Sequence, residues 1–122
     1  MKTQYIVLSF LFVITSLFTV NAQKGLISPV KKESIKVWGE CGMCKKKIEN
    51  ASKAAGAITA SWNEESKILS FSYNTTKTNA ARIQESVAAA GYDTKDVTAT
   101  GEAYNKLPGC CHYERKEVAT HP

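Results

Sequence analysis

Two cysteines three positions apart, in Cys41-Gly42-Met43-Cys44, and a second group near the far end, Cys110-Cys111-His112, are the residues of this chain best suited to chemistry. Thiolates spaced like Cys41 and Cys44 can share one soft metal ion or close on each other as a disulfide. They stand at the mouth of an amphipathic segment, Lys45 to Ala55, in which Cys44, Ile48, Ala51 and Ala55 recur at helical spacing. A helix start leaves backbone N–H groups unpaired and carries partial positive charge, so thiolates are favoured there. Lys45, Lys46 and Lys47 act in the same sense, and they would offset the negative charge of a two-thiolate complex of a monovalent ion. The only two histidines, His112 and His121, lie near the C-terminus, and no carboxylate pair is placed near the thiols. The residues therefore describe a binding protein and not an enzyme.

The elements that must position these thiols can be read from the hydrophobic pattern. Ser34 to Trp38 alternates as a strand, and the helix bearing Cys44 stops at Gly56. Ile58, Ala60 and Trp62 alternate, Asn63 to Ser66 turns, and Leu69, Phe71 and Tyr73 alternate again, which reads as a hairpin. Thr78 is the expected cap of a second helix that carries Ile83, Val87 and Ala90 and stops at Gly91. A weak fourth strand is expected at about Thr94 to Ala99. The order βαββαβ predicts an α+β fold of the ferredoxin-like kind: a four-stranded antiparallel sheet with two helices on one face.

Lys2, the apolar run Tyr5 to Val20 and the Val20-Asn21-Ala22 site predict a secretory signal peptide over residues 1–22. Such a peptide implies export to the periplasm or beyond, with no stable membrane insertion after cleavage. Residues 23–33 are expected to form a flexible leader, 34–99 the domain, and 100–122 a C-terminal tail. Removing Lys2 leaves 15 of the 16 basic residues against 11 acidic ones. The excess is too small and too scattered for a nucleic-acid surface, and suits at most docking on an acidic protein.

Val37 to Glu49, together with the βαββαβ pattern, resembles the heavy-metal-associated domain, a family of copper chaperones, a periplasmic mercury-binding protein and the N-terminal modules of metal-transporting ATPases. Cys41, Cys44, Ile48-Glu49, Leu69 to Tyr73, Ile83 and Ala90-Gly91-Tyr92 carry the resemblance. It implies that Cys41 and Cys44 hold one soft ion, with Tyr92 near the site. Cu(I) leads, with Hg(II), Ag(I) or Zn(II) as alternatives. A monomer that exchanges its ion with a metal-transporting membrane protein or another carrier is the implied setting. The family usually places methionine two positions before the first cysteine, where this chain has Gly39, and its Met43 lies between the cysteines instead.

The competing chemistry is thiol–disulfide exchange by Cys41 and Cys44, since Trp38, Cys41-Gly42, Cys44 and Lys45 superficially echo a thioredoxin site. After the signal region the prolines are Pro29, Pro108 and Pro122, which leaves none in mid-domain to stand beside a reactive disulfide. Cys110, Cys111 and His112 are auxiliary candidates: they could join the main site, form a second one, or oxidise together. Ten residues, Thr100 to Gly109, reach about 33 Å when extended, against about 17 Å for a five-residue strand, so the tail is long enough to double back. A chain cut after Gly109 is expected to keep its folded domain.

Overall fold

A computed structural model describes residues 29–116. The expected signal peptide, residues 23–28 of the expected leader, and His121 lie outside the described residues. The element order is β1 (Val30–Lys36), α1 (Gly42–Ala54), β2 (Ala57–Trp62), β3 (Ile68–Asn74), α2 (Ala80–Ala89), α3 (Gly101–Asn105) and a 3₁₀ turn (Gly109–Cys111). β1 begins four residues before the expected Ser34, so Val30 to Glu33 belong to the sheet and not to a leader. Glu33 stands opposite Phe71 in the register and accepts a hydrogen bond from the Tyr73 hydroxyl at 2.6 Å.

Among the described residues the sheet is three-stranded and antiparallel, in the order β1-β3-β2. Strand alternation sends Ile35, Leu69, Phe71 and Tyr73 into a core shared with Ile48 of α1 and with Ile83 and Val87 of α2. The other face is hydroxylated, with Ser34 paired to Ser70 and Thr59 to Ser72. A register shift between Ala57 and Thr59 turns Ile58 outward, 55% exposed, and gives its inward place to Ala57. The α2 cap is Asn79, whose side chain accepts from the Arg82 N–H. Thr78 instead donates its hydroxyl to the Ala55 carbonyl at the end of α1.

The expected fourth strand is reduced to one bridge, Val37 with Thr94. Trp38 N–H donates to the Asp93 carbonyl and Lys95 N–H to the Lys36 carbonyl, and there the pairing stops. Thr94 turns the chain by bonding Val97 from both backbone and hydroxyl, while the Gln84 side chain from α2 holds the Thr94 hydroxyl and the Asp96 N–H. These local side-chain bonds outcompete a ladder that a weakly apolar segment does little to reward.

Residues 100–116 return to the domain and are part of the fold. Leu107, Cys111 and Tyr113 are buried in the same core, and Tyr113 stacks on Tyr92 with ring centroids 5.7 Å apart. The Tyr113 hydroxyl donates to the Gly91 carbonyl at 2.7 Å and accepts from the Asp93 N–H at 2.8 Å. Asp93 is fully buried and receives a two-pronged contact from Arg115, at 3.0 and 2.8 Å, and the Ala99 N–H at 2.8 Å. Gly91, at φ +110°, ends α2 and lets the returning segment come close: a Cβ there would meet the Ala103 carbonyl oxygen at 2.8 Å. The expectation that the domain is complete before the tail is therefore corrected. The returning segment supplies core residues that the βαββα unit lacks.

Candidate metal centre

Cys41 caps α1 with extended backbone, and Cys44 lies in its first turn, buried. Their sulfurs are 3.7 Å apart. The main-chain N–H groups of Cys44 and then Met43, at the open start of the helix, hold the Cys41 thiol below its ordinary pKa. The anion-favouring helix start read from the sequence is thus present, and it acts on Cys41.

The returning segment brings Cys111 to the same place. Its sulfur is 3.9 Å from that of Cys41, and the ligand atoms of Cys41, Cys44 and Cys111 all lie within 4.8 Å of one another. Such a group could hold a metal ion. Burial pushes the Cys111 thiol up to about 12, with the neighbouring Cys44 adding to the effect. An ion bonded to sulfur at about 2.3 Å spaces its ligands about 4.6 Å apart in a linear arrangement, about 4.0 Å in a trigonal one and about 3.8 Å in a tetrahedral one. The 3.7 Å and 3.9 Å separations match the trigonal and tetrahedral cases.

The other sequence candidates fall in different places. Cys110 is exposed, 3.9 Å from the Cys111 sulfur and 3.9 Å from the Met43 sulfur. His112 is exposed and rests on the Tyr104 ring, with centroids 5.1 Å apart. Lys45 is committed elsewhere. It pairs with Glu49 at 2.6 Å and donates to the Trp62 carbonyl, while Glu49 also accepts from the Trp62 N–H. Burial would raise the Glu49 carboxyl, but Lys45 and the Trp62 N–H outweigh it and hold the pKa below its ordinary value. Glu49 thereby ties α1, which carries Cys44, to the end of β2.

Tyr92 lies on the inner side of the thiols. Its hydroxyl is buried with no nitrogen or oxygen partner, and it faces Cys44 and Cys111. Burial, then the two thiols, raise its pKa far above the ordinary phenol range, so it stays a neutral O–H beside the sulfurs.

Gly39 explains how the loop is supported without the expected methionine. A Cβ at that position would stand 2.9 Å from two carbons of the Trp62 ring and 3.2 Å from Ile48 Cδ1. The indole, fully buried and donating to the Val37 carbonyl at 2.9 Å, fills the space under the loop. Gly39→Ala is expected to cost about 1–3 kcal/mol by overpacking, and Gly39→Met more. Urea unfolding of Gly39→Met, Trp62→Ala and the double variant should show that the second change partly relieves the first. Simple additivity would mean that the two side chains do not compete for that space.

The α+β fold, with a cysteine pair opening its first helix and a cysteine cluster that could hold a metal ion, has counterparts among solved structures. The CopZ metallochaperone is 29% identical, with a TM-score of 0.50 over 52% of this chain and 98% of its own. The solution structure of a protein from Bacillus anthracis str. Ames matches at 18% identity and a TM-score of 0.52, over 57% of this chain and 100% of its own. No family model matches the sequence, nor does any curated protein. The chain has a heavy-metal-associated-like fold, so the resemblance to that family is borne out, while the final strand of the expected βαββαβ order is reduced to a single bridge.

Sequence reading passed over Met43 as a neighbour of Cys110, and over Asp93, Tyr113 and Arg115 as the clamp that delivers Cys111. A signal was present. Tyr104, Leu107 and Tyr113 are more large apolar residues than a solvated tail has use for.

Proposed function

We propose that this protein binds and hands on a soft metal ion, Cu(I) foremost, through the thiolates of Cys41, Cys44 and Cys111. The observation that carries the reading is the convergence of three sulfurs from two distant segments into one cluster, with the Cys41 thiol held below its ordinary pKa at a helix start. Thiolate ligands select Cu(I), and Zn(II) is the main competitor because it also accepts thiolates. The similarity to a metallochaperone supports transfer as the task. Cys41 is the half-buried member, so an incoming thiolate from a partner reaches the ion on its side, and ligand exchange begins there.

The reading includes export, to the periplasm or outside the cell, on the strength of the N-terminal sequence. It also includes a metal-transporting membrane protein or another carrier as partner, and a monomeric state. No helix among the described residues is long and apolar enough to cross a membrane.

X-ray absorption on the protein loaded with a single Cu(I) should report three sulfur neighbours. In Cys111→Ser it should report two, with a shorter Cu–S distance. Identical spectra for the two proteins would remove Cys111 from the site.

A further inference from the structure

Five sulfurs form an unbroken series that runs from solvent into the core. From the outside inward, Met43 Sδ is 3.9 Å from Cys110 Sγ, which is 3.9 Å from Cys111 Sγ. Cys111 Sγ is in turn 3.9 Å from Cys41 Sγ, which is 3.7 Å from Cys44 Sγ. The inner three make the site already described. Met43 and Cys110 are left over, and both are open to solvent, Met43 at 49%.

Neither has a structural reason to be there. Met43 is a large apolar side chain on the exposed part of the first turn of α1, while Gly39 and Trp62 do the packing beneath the loop. Cys110 contributes nothing to the core, unlike its neighbour Cys111. The 3₁₀ turn points Cys110 outward and Cys111 inward, and the outward one donates its S–H to the thioether. Thioether and thiolate together are a donor set that suits Cu(I) and Ag(I) and that Zn(II) has little use for.

We infer that Met43 and Cys110 form a second, outer site for a soft monovalent ion, with the Cys111 thiolate shared between the two ions. The inference rests on the three-thiolate reading of the inner site. Cys111 is equidistant from Cys41 and Cys110, and a thiolate has lone pairs enough to bridge two ions. Binding the outer ion displaces one proton, from Cys110, because the bridging Cys111 has already lost its own to the inner ion.

Native mass spectrometry of the reduced protein, titrated with Cu(I) without oxygen, tests this. The monomer should take up two Cu(I), while Cys110→Ser and Met43→Leu should each take up one. Both substitutions lie on exposed positions, and circular dichroism identical to the parent would show that the fold is kept. With Zn(II) the parent should take up one ion. A parent monomer saturating at one Cu(I), two ions found only in a dimer, or two ions retained by both variants would each overturn the outer site. The inner reading fails separately, if the first and tightest equivalent survives Cys41→Ser with Cys44→Ser.

Discussion

Serine at both Cys41 and Cys44 is expected to lower Cu(I) affinity on the order of a thousandfold or more, about 4 kcal/mol. The hydroxyl is a hard, protonated donor at neutral pH, so each substitution removes a soft ligand while changing little in volume. Cys111 would then face the ion alone on the inner side, with Cys110 and Met43 outside it. Cys41→Ser is the cleaner single change, because position 41 is only partly buried and serves as the helix cap, a role serine performs well. Cys44→Ser buries a hydroxyl in an apolar place and should also cost stability. Competition against a chromogenic Cu(I) chelator reads the affinity directly. An undiminished constant in the double variant would sink the thiolate site.

The second large effect concerns the returning segment. Cutting the chain after Gly109 removes Cys111, Tyr113 and Arg115, and with them a fully buried aromatic ring and the counter-charge of Asp93. Loss of such a ring costs about 3–5 kcal/mol, and leaving a buried carboxylate unpaired costs about 3–5 kcal/mol as well. A small domain has only about 5–15 kcal/mol in total, so the truncated chain should lose cooperative unfolding at room temperature. A truncated protein with the parent's melting temperature would show the segment to be dispensable.

Arg115→Ala probes the clamp more gently, and acid gives it a signature. Burial alone would raise the Asp93 carboxyl, but Arg115, the Ala99 N–H and the Lys116 N–H overcome that and hold its pKa below the ordinary value. A depressed carboxylate contributes stability that is full above its unfolded pKa, near pH 4, and that is lost as pH falls through the folded value. The parent should therefore weaken steeply below about pH 4, and Asp93→Asn, though less stable at pH 7, should show a shallower acid slope. Tyr113, whose hydroxyl accepts from the Asp93 N–H, has its pKa pushed up by burial and stays neutral through that range.

Where the sequence spoke through period, it was legible. Leu69, Phe71 and Tyr73 alternate, Cys44 and Ile48 recur at helical spacing, and Gly56 and Gly91 do end the helices. It was silent where side chains bond the backbone over a few residues. Thr94 and Gln84 abolish a strand by such bonds, and one extra residue at Ile58 turns a face outward. The cysteine pair was visible because both members share one turn. Cys111 was a candidate by type and by the reach of the tail, but its approach depends on Gly91 acting together with Tyr113 and Arg115 from a distant segment, which no local pattern announces.

Cys41 and Cys111 are 70 positions apart, and the path between them contains most of the core. An ion bound to both would act as a removable cross-link around that loop. By the chain-entropy argument for a covalent bridge, a closure of this size restrains the unfolded chain by roughly 4 kcal/mol. Loading would therefore be felt as resistance to heat and to proteolysis across the whole domain. Removing the ion would unclasp the chain by the same act, so the empty protein should be the more open to proteases and the loaded one the more resistant.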